Sequence, residues 1–217
     1  MKLFGRYASP FVRRVAVTLR QYGIPYGHVA VMPFGDAKNT LREKNPIARV
    51  PVLELDDGEC LVDSAVILDH LDSIGAPKRA LVPPSGAARR HVLTCLAIET
   101  GVMDKLVAVL YERHFRPKEK WHQPWIDACE AQVRDGFSWL ENRFEGHWLC
   151  GNHMTQADLS LAVFWSFGRA KRPGFFAHLD CPNIAELTDR LEATEPFRET
   201  APEAEPLSRD LSAKPLN

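Results

Sequence analysis

Ser9 stands directly before Pro10 in the stretch GRYASPFVRRV (residues 5–15), after a short apolar segment and ahead of a run with helical spacing. Serine followed by proline is a favoured N-cap and N1 pair, so one reading makes Ser9 a helix cap and nothing more. A helix start also offers free N–H groups and a partial positive charge, which favour a thiolate or carboxylate nearby. A hydroxyl there stabilises a substrate thiolate, because a hydrogen bond to the charged form lowers the thiol pKa. Tyr7, two residues upstream, is chemically competent for the same task.

Three further stretches carry groups of this kind. In ARVPVL (48–53), Pro51 sits at the entry to a strand. The Val50–Pro51 bond is either an ordinary trans bond at a strand edge or a cis bond that turns the Val50 N–H and C=O outward to pair with an extended peptide. In VDSAVIL (62–68), Asp63 and Ser64 fall at a helix start. There Ser64 caps the helix, binds a ligand carboxylate together with the free N–H groups, or does both. GNHMTQADLSLA (151–162) holds Thr155-x-x-Asp158, a relative of the capping box, with Met154 at the staple position, and reads as structural. His147-x-x-Cys150-x-x-His153 resembles a metal motif on paper, but its turn-like surroundings hold no fourth ligand, and we expect no metal. Phosphate loops, zinc-protease motifs and nucleophile elbows are missing.

The elements that must position these residues follow from periodicity. Residues 2–5 suit a short buried strand. Phe11, Val15, Leu19 and Tyr22 recur at helical spacing until Gly23 and Pro25 stop them. A second strand is expected over 26–31, and a short helix before Pro46. Two strands joined by a turn at Asp57-Gly58 come next, then a helix from Ser64 to about Gly75. The proline- and glycine-bearing stretch 77–88 reads as a linker between a domain at 1–76 and another at 89–217. The second domain is helical throughout. Val92, Leu96, Met103, Leu106 and Leu110 share one long helix. Ile126, Cys129, Val133, Phe137, Leu140 and Phe144 form a stripe with steps of three and four. Ile184, Leu187 and Leu191 mark a last helix before a polar tail from about 199. The expected fold is therefore a small α/β domain followed by an all-helical one.

The chain of 217 residues is 45% hydrophobic and 25% charged, with a net charge of −1, so nothing in bulk draws it to nucleic acid or an anionic membrane. Its first residues interleave charges too often for a signal peptide, and no run suits a bilayer. Five scattered cysteines without a C-x-x-C pair read as reduced thiols in a cytoplasmic protein.

In this order and at these spacings, SPFVRRV, NPIARVPVLELDDG, LVDSAVILDHLD, GNHMTQADLSLA and CPNIAELTDRLEATEPFRET resemble the cytosolic glutathione S-transferases of the serine type, as in bacterial and plant classes. The resemblance covers nearly the whole chain. It implies a thioredoxin-like N-terminal domain, a C-terminal helical bundle, a homodimer, and glutathione as co-substrate in detoxifying transfer to a small hydrophobic electrophile. Carried over by position, Ser9 would hold the glutathione sulfur. Val50, before Pro51, would pair with the cysteinyl backbone, and Asp63 with Ser64 would hold the γ-glutamyl end. Lys38 and Arg49 would meet the glycine carboxylate, and Phe11, Met103, Leu106, Val107, Tyr111 and Trp165 the electrophile. No cysteine precedes Cys60, which argues against the cysteine-type classes, and the Ser-Ser-Cys signature of the maleylacetoacetate isomerases is missing. A non-catalytic binding, stress-response or assembly module of the same fold stands as the alternative. So does a glutathione-dependent peroxidase or dehalogenase.

Overall fold

The computed structural model describes residues 1–35, 37–75 and 80–205. They form two compact units, Met1–Ala80 with Ala193–Asn217, and Leu81–Glu192. Residues 77–79 of the expected linker lie outside the described residues, as does the tail from 206.

The first unit runs β1 (Lys2–Phe4), α1 (Pro10–Tyr22), β2 (Gly27–Val29), α2 (Ala37–Lys44), β3 (Val52–Glu54), β4 (Cys60–Val62) and α3 (Ser64–Ile74). Strand order is β2-β1-β3-β4, with β1 and β2 parallel and the other pairs antiparallel. Alternation along the strands sends Leu3 and Leu53 to one face, against Val12, Val15 and Leu19 of α1 and Ile67 and Leu71 of α3. Phe4 and Val52 point to the other face, against Leu41 of α2. α1 ends as its sequence indicates, with Gly23 in the left-handed region and its N–H returned to the last turn.

The second unit contains α4 (Gly86–Phe115), α5 (Gln123–Glu141), α6 (Gln156–Lys171), α7 (Pro173–Phe176) and α8 (Pro182–Glu192). α4 begins within the stretch read as linker. The expected stripe on α5 is buried from Ile126 through Leu140, and its last member, Phe144, lies beyond the helix. Phe137, Trp165 and Phe176 meet edge to face at centroid distances of 5.0 to 5.5 Å. Gly168 makes room for this cluster, since a Cβ there would stand 1.9 Å from Phe176 Cζ. No helix among the described residues is long and apolar enough to cross a membrane.

The sequence reading ran from the last helix straight into a tail, but a further short helix, α9 (Glu195–Glu199), follows, with Pro196 in its first turn. Residues from Ala193 onward group with the first unit rather than the second. The buried Arg13 of α1 explains the attachment. Its guanidinium donates to the carbonyls of Phe197 (3.2 Å) and Thr200 (3.1 Å), where α9 runs out of internal partners.

Candidate functional site

Sheet register brings the separate motifs of the first unit to one end. Val29, Phe4, Val52 and Val62 are consecutive partners across the four strands. The next residues along the chain beyond that row are the loop Gly5–Ser9 after β1 and Asp63-Ser64 after β4. On the β3 side, the residues that lead into the row are Val50-Pro51. Gly5 has φ +127°, and a Cβ on it would lie 2.5 Å from Val12 Cγ2 and 3.0 Å from Val50 Cβ. A side chain at position 5 would therefore push apart Val12 of α1 and the Val50 segment.

Ser9 occupies the N-cap position of α1 by backbone geometry, with φ −84° and ψ 124°, yet its side chain makes no capping bond. Among the described residues its half-buried hydroxyl has no partner. The cap reading therefore holds for the backbone and not for the hydroxyl. Pro10 at N1 costs nothing, since an N–H there would lack an intrahelical partner anyway.

Tyr7 is differently placed. Its ring is buried and stacked on His28 at 4.1 Å, and its hydroxyl pairs with that of Tyr26 at 2.8 Å. Burial first, then the bond to Tyr26, pushes the Tyr7 phenol far above its ordinary range. A hydroxyl so engaged is poorly suited to holding a substrate thiolate. Tyr7→Phe is expected to leave thiol activation unchanged and to cost about 1 kcal/mol of stability, the net worth of one hydrogen bond. Urea unfolding beside a pH–rate profile checks both, and a collapse of the rate would shift the activating role to Tyr7.

The Val50–Pro51 bond is cis. Among the described residues the Val50 N–H and C=O have no partner, as an edge awaiting an extended peptide would require. The loop ahead of it is fixed by the buried Asn45, whose Oδ1 accepts from the Ile47 N–H (3.2 Å) and whose Nδ2 donates to the Arg49 carbonyl (2.9 Å). Arg49 and, on α2, Lys38 are both exposed.

At α3 the structure corrects the cap assignment. Asp63, at φ 71°, is the N-cap, and its Oδ1 accepts from the Ala65 N–H at 2.8 Å. Ser64 is the first helical residue, and its buried Oγ accepts from Arg14 Nη2 at 2.6 Å. That bond uses a lone pair and leaves the hydroxyl proton to donate elsewhere.

The six residues assigned to an electrophile differ in exposure. Phe11 is half-buried, with the Arg14 guanidinium 5.9 Å from its ring centre. On α4, Met103, Val107 and Tyr111 follow one another at intervals of four, buried, half-buried and exposed in turn. Leu106 is buried, and so is Trp165 in its aromatic cluster.

The sequence reading missed Glu205. Its buried carboxylate accepts from the Tyr7 N–H (2.9 Å) and from Arg6 Nε (2.7 Å), with His28 Nε2 3.5 Å away. His28 Nε2 also donates to the Gly5 carbonyl at 2.7 Å. The Ser9 loop is thus held from below by His28 and from the chain's far end by Glu205, about 200 residues away. No local spacing could have signalled that.

Comparison with known proteins identifies the family. Residues 3–79 match the family described as glutathione S-transferase, N-terminal domain, and residues 123–190 its C-terminal domain. A glutathione transferase family member from Pseudomonas fluorescens, solved with bound glutathione, is 31% identical over 92% of this chain and 97% of its own, with a TM-score of 0.84. The uncharacterised GST-like protein YibF of Escherichia coli is 26% identical, covering 93% of this chain and 98% of its own. The maleylacetoacetate isomerase of Pseudomonas aeruginosa is also 26% identical, over 95% of this chain and 98% of its own.

Proposed function

The chain belongs to the cytosolic glutathione S-transferase family, and we propose that within it the protein is a serine-type transferase that activates the glutathione thiol for attack on a small hydrophobic electrophile. The observation that carries this reading is the Ser9 hydroxyl. Among the described residues it stands at a helix start without a partner, while the competing Tyr7 hydroxyl is buried and paired.

In this mechanism glutathione lies along the sheet end with its cysteinyl backbone on the Val50 N–H and C=O. Its γ-glutamyl carboxylate is held by the Ser64 hydroxyl at the start of α3, with Asp63 beside it. Lys38 and Arg49 attract the glycine carboxylate. The thiol proton leaves to solvent, and the thiolate takes a hydrogen bond from Ser9. The sulfur lone pair then forms a bond to the electrophilic carbon as the leaving group departs with its electron pair. No metal or general base is needed. On the helical unit, Val107 and Tyr111 offer open surface to an electrophile, and Met103, Leu106 and Trp165 form the packed layer. On the first unit Phe11 is half-buried. A homodimer is part of this reading, as the resemblance implies.

Two assays test it together: calorimetric titration with glutathione, and turnover of an activated aryl chloride. Binding without turnover on any electrophile class would favour the binding-module alternative. Turnover of peroxides or alkyl halides alone would favour the peroxidase or dehalogenase. Isomerisation of a maleyl substrate would place the chain with its isomerase relatives, although their Ser-Ser-Cys signature is missing from it.

Ser64→Ala is expected to raise the glutathione KM about tenfold with kcat little changed, because it removes one hydrogen bond to a charged group that is equal in ground and transition states. An unchanged KM would leave Ser64 as no more than an acceptor for Arg14.

A further inference from the structure

We propose that His91, Cys95 and Cys150, in the helical unit and outside the glutathione site, form a binding site for one thiophilic metal ion of the zinc(II) class. His91 and Cys95 lie four residues apart on α4 and so share a face. Cys150 reaches that face from the segment between α5 and α6. The ligand atoms of all three lie within 4.8 Å of one another, and the two sulfurs are 3.6 Å apart.

That separation is the contact of a hydrogen-bonded thiol pair rather than a disulfide, and it also suits two ligands of one metal. Two thiolates bound at about 2.3 Å around a tetrahedral zinc stand about 3.8 Å apart, whereas a disulfide brings its sulfurs to about 2.0 Å. The observed pair already sits close to that edge length, with a ring nitrogen of His91 within 4.8 Å of both sulfurs. Both sulfur positions are held firmly. Cys95 is buried at the tenth position of a 30-residue helix. The N–H of Leu149, next to Cys150, donates to the buried carboxylate of Asp158 at 2.8 Å.

A metal takes both sulfurs as thiolates, so a bound cation displaces the two thiol protons. His91 and Cys150 are half-buried, which gives an ion a route in. Three protein ligands with an open fourth position are the pattern of an exchangeable rather than a closed structural site. The sequence reading expected no metal at His147, Cys150 and His153; the fold brings Cys150 to His91 and Cys95 of α4 instead.

The test titrates the reduced, chelator-treated full chain with cobalt(II), then displaces it with zinc(II). One cobalt per chain is expected, with thiolate-to-cobalt charge-transfer absorption and the intense visible bands of tetrahedral coordination, all lost on adding zinc. Cys95→Ser, Cys150→Ser and His91→Ala should each weaken binding by about ten- to a hundredfold or more. Cys60→Ser, in the other unit, should leave it unchanged. Circular dichroism checks that the variants fold, and His91→Ala, at a half-buried position, keeps the test open if Cys95→Ser does not. The proposal is overturned if no charge-transfer band forms, or if the band persists in all three variants. It is also overturned if hydrogen peroxide joins Cys95 to Cys150 in a chain that binds no cobalt. Each readout is independent of glutathione turnover, so failure here leaves the proposed transferase untouched.

Discussion

Ser9→Ala is expected to raise the pKa of enzyme-bound glutathione by about two units, back to the ordinary thiol value near 8.5. A free cysteine thiol at pH 7 is mostly protonated. A shift to about 6.5 would make roughly three quarters of it thiolate against about 3% without the shift, a ~25-fold difference in the reactive form. In energy this is about 2.7 kcal/mol, the scale of a charge-assisted hydrogen bond helped by the positive end of α1. The turnover rate at pH 7 should fall by less than 25-fold, because a thiolate of lower pKa is also a weaker nucleophile. At pH 9.5 the difference should vanish or reverse, since both proteins then carry thiolate and the variant's is the more reactive. The glutathione KM at pH 7 should rise by only about fourfold, the linkage cost of the lost ionisation, because Ser9 contributes to the ionised sulfur and not to the peptide's anchoring. The measurement is the ultraviolet absorbance of the bound thiolate titrated against pH, wild type beside variant. If the variant titrates like wild type, Ser9 is a backbone cap whose hydroxyl is idle.

What the sequence could and could not disclose about this site divides on physical lines. The strands and helices of the first unit were legible because each begins or ends on a residue with a local reason. Gly23 and Pro25 stop α1, Asp57-Gly58 turns β3 into β4, and apolar residues repeat with periods of two or 3.6 between them. The individual motifs were legible for the same reason. Their gathering at one sheet end depends on the register Val29–Phe4–Val52–Val62, which no single motif contains. Which isomer the Val50–Pro51 bond takes is set by the surrounding fold rather than by the dipeptide. Which residue caps α3 turned on the backbone of Asp63, whose positive φ puts its carboxylate, and not the Ser64 hydroxyl, over the Ala65 N–H. Arg13 and Arg14 are charges inside the buried face of a helix. Such residues require partners, but theirs lie 50 and more residues away, at Ser64, Phe197 and Thr200. Glu205 is the extreme case: a tail residue by composition, yet buried beneath the Ser9 loop.

Asp158→Ala is expected to destabilise the helical unit by about 4 kcal/mol, a large part of the 5–15 kcal/mol that holds a typical domain together. The carboxylate is fully buried at the start of α6 and serves two backbone donors and a hydroxyl. Oδ1 accepts from the Leu149 N–H (2.8 Å), and Oδ2 accepts from the Thr155 N–H (2.7 Å) and the Thr155 hydroxyl (2.8 Å). Alanine would strand both N–H groups where water cannot reach, at roughly 1–3 kcal/mol each. Asp158→Asn keeps one acceptor oxygen but turns an NH2 donor towards a donor, so about half the loss is expected. The pH dependence separates geometry from charge. Burial raises the Asp158 pKa despite the hydrogen bonds that oppose it. The folded chain therefore binds this proton more tightly than the unfolded one, which makes a contribution to stability that is present at acid pH and lost as pH rises through the folded value. Asparagine cannot titrate, so its deficit against wild type should widen between pH 7 and pH 4. Urea unfolding at both values reads this directly, and a deficit under about 1 kcal/mol for alanine would mean that the box is not what anchors α6. The same carboxylate fixes Leu149 beside Cys150. Asp158→Asn should therefore also weaken cobalt binding at the cysteine pair, through the position of one sulfur rather than through any ligand of its own.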